Sequence, residues 1–264
     1  MTRSPELSAV LITRNAASQL AECLASVAFC DEIIVVDSGS EDATVEIAER
    51  HGARVIQAEW RGFGPQKQFA VEQASHDWVL CIDADERVSD RLRESILAVT
   101  CPRSGVPGTQ SESAPPLAAY RFARCNRFMG RYLRHGEGYP DWSLRLFDRR
   151  AARWSNDEVH EKVVTDAAIG TLAGDLLHDT AETLDSYLAK QNRYTTLAAQ
   201  AALAAGRRAS VAQLLLSPVL RLIKFYLLRR GFLDGLPGLV HILIGCQNSF
   251  IKYAKMLAMQ GDRP

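Results

Sequence analysis

The sequence predicts an α/β fold: a mostly parallel sheet flanked by helices, followed by a helical C-terminal region. Short apolar runs alternate with helix-period segments over residues 1–100. Each run ends in a polar, turn-forming cluster, as at the carboxyl edge of a parallel sheet. The last third is rich in Leu and Ala at helical spacing, and from Arg207 onward it carries a basic excess, with only Asp234 and Asp262 opposing Arg207, Arg208, Arg221, Lys224, Arg229, Arg230, Lys252, Lys255 and Arg263.

Taken in order, residues 7–12 (LSAVLI) form the first buried strand. Residues 17–27 follow as a helix with Leu20, Leu24 and Val27 on one face. IIVV at 33–36 is the second strand, and Ser40 is placed to cap a helix that ends at Gly52. A third strand spans 53–58, a helix 66–75, and WVLCI at 78–82 is the fourth strand. Ser89 then caps a helix over 90–99. A Pro/Gly/Ser-rich loop fills 100–116, and later strands fall at 120–123 and 143–147. Helices are expected at 184–205, closed by Gly206, and at 211–230 and 239–259, with GFLDG as the turn between the last two. The domains follow: 1–180 as a catalytic domain, with 1–100 binding a nucleotide and 117–180 facing an acceptor, and 181–264 as a helical region.

Composition narrows the function. The chain has 264 residues, 47% of them hydrophobic, enough for a substantial core. Lys+Arg and Asp+Glu are both 31, so the basic signature of a nucleic-acid binder is absent. Six scattered cysteines without a CxxC pair read as buried free thiols. The opening MTRSPELSAVLITRN lacks a signal peptide's apolar stretch, which predicts a cytoplasmic protein. No segment runs 18 residues without charge, so a simple transmembrane helix is not expected. Apolar helices bearing basic residues suit the interface of an anionic bilayer, and a core or dimer pair would have similar leucine faces.

The chemistry-bearing residues sit at strand ends. Asp83-Ala84-Asp85-Glu86 directly follows WVLCI. Asp83 and Asp85, one residue apart on a loop, can chelate Mg²⁺ or Mn²⁺, and the cation can bridge the phosphates of a nucleotide sugar. A solvated acidic turn would look the same in isolation. Asp37-Ser38-Gly39-Ser40 follows IIVV, where Asp37 can accept from a uracil N–H or a ribose hydroxyl. An ordinary strand–turn–helix junction would also place Asp and Ser there. Thr13 and Asn15 offer polar groups at the same edge, and Lys67 in GFGPQK can reach a base or phosphate. That segment lacks the third glycine of a dinucleotide loop, which disfavours a dehydrogenase. In Asn156–Asp157–Glu158–Val159–His160–Glu161, Glu161 is the candidate base for an acceptor hydroxyl, with Asp157 and Glu158 as alternatives. His160 is a metal or phosphate ligand or orients Glu161, and His178 is a further candidate metal ligand.

Together these motifs resemble family 2 glycosyltransferases of the GT-A fold, and within them the lipopolysaccharide inner-core β-1,4-glucosyltransferase group. LITRN, DEIIVVDSGSEDAT, GFGPQKQFA, WVLCIDADERVS, RFMGRYLRHGEGYPDWSLRLFDRR, VHEKV, LAKQNRYTTLAA and LLRRGFLDGLPGL carry the resemblance over nearly the whole chain. It implies that Thr13, Asn15, Asp37, Ser38 and Lys67 hold the nucleotide of a UDP-sugar donor. Asp83 and Asp85 would face the diphosphate, Asp85 as the direct metal ligand. Glu161 would lie near the acceptor, and Asp141 and Arg145 would line the acceptor side or the pyrophosphate. It also implies a lipid-linked glycan acceptor at the inner face of the cytoplasmic membrane. Ala16 stands where the family often has Glu, and Gly138 where an aromatic is usual. A pyrophosphorylase would need a Gly-rich loop after the first strand, and a non-catalytic adaptor would need neither DADE nor VHE.

Overall fold

The computed structural model describes residues 6–100, 117–157, 161–180 and 183–261. The chain divides into two compact units. One comprises Met1–Arg124 and Asp141–His178; the other comprises Cys125–Pro140 and Asp179–Pro264.

In the first unit, strands β1 (Leu7–Thr13), β2 (Glu32–Asp37), β3 (Arg54–Gln57) and β4 (Trp78–Cys81) alternate with helices α1 (Ala17–Ser26), α2 (Thr44–Arg50) and α3 (Phe63–Glu72). Then come β5 (Glu86–Val88), α4 (Asp90–Thr100), β6 (Ala119–Phe128, whose residues from Cys125 belong to the second unit), β7 (Arg131–Tyr132, in the second unit), β8 (Asp141–Asp148), β9 (Ala152–Trp154), β10 (Val163–Thr165) and β11 (Ile169–His178). The sheet order is β3-β2-β1-β4-β8-β6-β11-β5, with β7 paired to β6 and a separate β9–β10 ribbon. β1 to β4 pair in parallel, as expected. The pairs β4–β8, β8–β6 and β11–β5 are antiparallel, which narrows the expectation of a mostly parallel sheet. For β6 and β8 the reason is connectivity: a parallel pair needs a crossover, and only the short β7 and no helix lies between them.

Alternation along the strands supplies both faces. Leu7, Ala9 and Leu11 join Leu20 and Leu24 of α1 and Leu92 and Ile96 of α4. Val10, Ile34 and Val36 pack on Ala70 and Val71 of α3 and on Trp154. Ser40 does not cap α2, as its position suggested. That helix begins at Thr44, whose N–H donates to Asp42 Oδ1. Ser89 does cap α4, accepting from Leu92 N–H at 3.4 Å. The cysteines Cys23, Cys81, Cys125 and Cys246 are buried free thiols, and Cys30 is half-buried. The loop at 101–116 lies outside the described residues.

Opposite the site, Glu32 accepts from Ser8 Oγ at 2.6 Å, Ser75 N at 2.8 Å and Ser75 Oγ at 2.9 Å, and pairs with Arg54 at 3.2 Å. Burial pushes its carboxyl up, but these donors outweigh burial and hold it below the usual carboxylate range. Because the folded form keeps the lower pKa, the stabilisation is present above the unfolded value and is lost as pH falls through the folded one. Glu32→Gln is expected to cost about 1–2 kcal/mol at pH 7. The difference should shrink as pH falls below the ordinary carboxylate range, as urea titrations at several pH values will show. A penalty independent of pH would remove this assignment.

The second unit contains α5 (Leu184–Ala204), α6 (Val211–Leu222) continuing as a π-helical segment (Ile223–Leu228), a 3₁₀ turn (Gly231–Asp234) and α7 (Gly235–Gly261). Ser210 and Gln213 form a capping box on α6. Residues 125–140 fall in the same compact unit as these helices. Asp234, buried, accepts from the N–H groups of Arg134 at 2.9 Å and His135 at 2.8 Å, and Glu137 pairs with Arg221. These bonds clamp the segment after β7 to the helices.

Candidate active site

At the carboxyl ends of β1 and β2, Thr13 Oγ1 donates to Asp37 Oδ1 at 2.9 Å. Asp37 also accepts from Gly39 N at 3.1 Å, Ser40 N at 2.8 Å and Ser40 Oγ at 2.5 Å. The carboxylate is fully buried, so the structure does not bring Asp37 to an open surface. It shapes the turn instead. Ser38 Oγ accepts from Gln66 Nε2 at 3.0 Å. Asn15 has φ 52°, a left-handed conformation that Asn tolerates, and its Oδ1 accepts from Glu41 N at 2.8 Å.

The DADE turn after β4 is held by its own backbone and by Glu86. Glu86 N donates to Asp83 O and Asp83 N to Glu86 Oε2, both at 2.9 Å. Lys67 Nζ lies 3.0 Å from Asp83 Oδ1 and 3.3 Å from Glu161 Oε1. Arg145 Nη2 lies 2.8 Å from Asp83 Oδ2 and 3.6 Å from Glu86 Oε1. Both cations sit over the Trp154 ring, at 4.9 and 5.3 Å. Burial would raise the Asp83 carboxyl, but the Arg145 and Lys67 charges override it and hold it well below the usual carboxylate range. Burial pushes the fully buried Glu86 up, with Arg145 opposing and Asp83 adding to the rise.

Residues far apart in sequence meet because α3 packs tightly on the loop after β9. Gly64 faces Ser155 O so closely that a Cβ would not fit, and that Cβ would lie 3.3 Å from Glu161 Cβ. Lys67, one turn on, therefore reaches Glu161.

A cavity of about 690 Å³ opens at this edge. Thr13, Asn15, Lys67, Asp83, Asp85, Glu161 and His178 of the sequence-predicted set all line it. Asp37, Ser38, Asp141 and Arg145 do not. Arg145 lies behind Asp83, and Asp141 is held by Arg124 at 2.7 Å. His160 and Glu158 fall outside the described residues. Sequence reasoning missed Arg14, Trp60 and Phe63 in the lining. Trp60 and Phe63 stack edge-on with centroids 4.8 Å apart and stay about half exposed. Two aromatics in a polar loop after a strand were the available signal.

His178 Nε2 lies 3.3 Å from Asp85 Oδ2. Among the described residues no group of three His, Cys, Asp or Glu is arranged to hold a metal. Asp83 is engaged by two cations, and Asp85 and His178 are the carboxylate and imidazole that face one another at the cavity. The cavity's charged lining is two cations, Arg14 and Lys67, against the carboxylates Asp83, Asp85 and Glu161. A diphosphate entering such a site needs a counter-cation. A carboxylate and an imidazole facing one another fit that cation if diphosphate and water oxygens complete its shell.

Comparison with known proteins is consistent with this geometry. Residues 8–105 match Glycosyl transferase family 2. The lipopolysaccharide core biosynthesis glycosyltransferase LpsC of Rhizobium meliloti (strain 1021) is 31% identical over 259 residues, 95% of this chain and 91% of that protein. The uncharacterized glycosyltransferase RT0209 of Rickettsia typhi is 28% identical over 95% of this chain and 86% of its own length. Among solved structures, the mannosyltransferase PcManGT from Pyrobaculum calidifontis, in complex with GDP-Man and Mn²⁺, superposes with a TM-score of 0.50 at 17% identity, covering 98% of this chain and 87% of that one.

Proposed function

Because the chain belongs to glycosyltransferase family 2 and has the GT-A fold, we propose that it moves a hexose, glucose from UDP-glucose, onto a lipopolysaccharide-core or other lipid-linked glycan with inversion at the anomeric carbon. One observation carries this reading: a single cavity is lined by a carboxylate–imidazole pair and by a buried lysine paired with the carboxylate of Glu161. The acceptor class follows the name of the lipopolysaccharide core relative.

In this mechanism the nucleoside lies along Thr13, Arg14 and Asn15, with Trp60 and Phe63 offering ring faces to a planar base. Asp85 and His178 would hold Mg²⁺ or Mn²⁺, which when bound would supply Lewis-acid stabilisation of the leaving diphosphate. Glu161 takes the proton of the acceptor hydroxyl as its oxygen bonds to the anomeric carbon. The bond from that carbon to the diphosphate oxygen breaks, and its electron pair leaves with UDP. Lys67 lies between Asp83 and Glu161 and orients both.

Calorimetric titration with UDP and UDP-glucose tests the donor site. UDP should bind at least tenfold more tightly with Mn²⁺ than without it, and Asp85→Ala should remove that difference. Metal-independent UDP binding unchanged in the variant would take Asp85 out of the site. Tight GDP binding in place of UDP would overturn the donor assignment.

A further inference from the structure

Trp142 of β8 is 48% exposed, although Leu146 and Phe147 on the same strand are fully buried. Register shows which side of the sheet it faces. Trp142 stands opposite Ala123 of β6, and Leu144 stands opposite Arg121. Phe122, between those two β6 residues, packs with Leu20 of α1 and Leu92 of α4. Arg121, Ala123, Leu144 and Trp142 therefore face the other way. On that side Leu144 packs against the cluster of Trp154 and the α3 residues Ala70 and Val71. Lys67 of α3 meets Glu161 on the same side. Trp142 thus shares a sheet face with the candidate active site, and it precedes Arg145 by about 10 Å along β8 at ~3.3 Å per residue.

The ring is held, and its neighbours on this face are polar. The Arg121 guanidinium lies over the indole, 5.1 Å from the centroid, and Arg121 Nε donates to Thr171 Oγ1 of β11 at 3.2 Å. Arg121 and Thr171 are both exposed. Among the described residues Arg121 has no carboxylate partner, so its Nη groups remain to donate elsewhere. Thr171 keeps its own hydroxyl proton for a further acceptor. The result is one flat apolar ring beside fixed hydrogen-bond donors. A pyranose matches that surface. Its polarised C–H groups are attracted to the negative face of an indole, and its hydroxyl oxygens accept from guanidinium and hydroxyl donors.

We propose that Trp142, with Arg121 and Thr171, is a glycan-binding platform that seats a pyranose of the acceptor at a distance from the reacting hydroxyl. The proposal rests on the transfer to a lipopolysaccharide-core glycan described above and adds the path of the acceptor chain. The reacting sugar reaches Glu161, and the chain behind it follows β8 to the indole.

The test uses the full chain, with lipid-free core oligosaccharide released from lipopolysaccharide by mild acid as the probe. Saturation-transfer NMR on the wild type should label the ring C–H protons of one pyranose. Trp142→Ala should weaken oligosaccharide binding by about tenfold or more, as for loss of an aromatic anchor. Trp142→Tyr should recover part of the affinity and the labelling, because a ring returns; a purely structural indole would give no such pattern. Arg121→Gln should weaken binding by about threefold or more while leaving the ring in place. If Trp142→Ala melts early, the tyrosine and Arg121 variants carry the test. UDP titration with Mn²⁺ runs alongside, and Trp142→Ala should keep UDP affinity within about threefold. Oligosaccharide bound equally by wild type and Trp142→Ala, or not bound by wild type at all, would overturn the platform while UDP binding upheld the donor site. Binding that depends on Trp142 in a protein that ignores UDP would uphold the platform and overturn the donor assignment. A dimer, seen by gel filtration without oligosaccharide binding, that Trp142→Ala dissociates would assign the indole to self-association and overturn the proposal.

Discussion

Glu161→Gln is expected to lower kcat for sugar transfer by about 10²–10⁴-fold, the range for loss of a positioned general base. UDP affinity should stay within about threefold, because glutamine still offers an oxygen to Lys67 Nζ, now 3.3 Å from Glu161 Oε1. The substitution removes the proton acceptor and keeps the shape. The result should therefore fall on kcat while KM for the donor changes little, as expected for an interaction made in the transition state. Steady-state transfer assays beside calorimetric UDP titration separate the two. Full activity in the variant would move the base elsewhere, first to Asp157.

Arg145→Met should destabilise the sheet unit by about 3–5 kcal/mol, the usual cost of removing one partner from a buried ion pair. Arg145 is buried and faces Asp83 at 2.8 Å and Glu86 at 3.6 Å. Without it, fully buried Glu86 keeps the Asp83 N–H at 2.9 Å and, as its cation among the described residues, Arg124 at 3.6 Å. Methionine preserves most of the volume over Trp154, so the loss reports charge more than packing. The Asp83 carboxylate is held below the usual range by Arg145 and Lys67, so its stabilisation is present at neutral pH and lost as pH falls through that depressed pKa. Urea titrations at pH 7 should show the full effect, and Arg145→Met/Glu86→Gln should recover part of it by removing the stranded carboxylate. A loss below about 1 kcal/mol would mean that water reaches this cluster and screens it.

The legible parts of the fold were those with local signatures. β1, β2 and β4 are continuous apolar runs, because strands covered on both faces have no polar side to show. The helix after Ser89 announced itself by its cap. β5, β9 and β10 are three residues each, too short for any period to register. The start of α2 was misplaced for a different reason. Ser40 is a good cap by type, but buried Asp37 takes its hydroxyl and leaves Asp42 to serve Thr44.

The site divides along the same line. Sequence alone determined that Asp83 and Asp85 follow a buried strand, that Thr13, Asn15 and Lys67 share its edge, and that Glu161 and His178 are available carboxylate and imidazole groups. These follow from residue type and from strand ends, which short-range pattern reveals. Only the tertiary structure decided which charges face each other. Lys67 meets Glu161 across 94 positions, and Arg145 meets Asp83 across 62. Those meetings depend on the order β1-β4-β8 and on the close seat of Gly64 against Ser155. They placed Arg145 behind Asp83 as a support and left Asp85 and His178 on the cavity wall. Pairing between buried charges is a long-range electrostatic outcome of sheet order, and no local pattern encodes it.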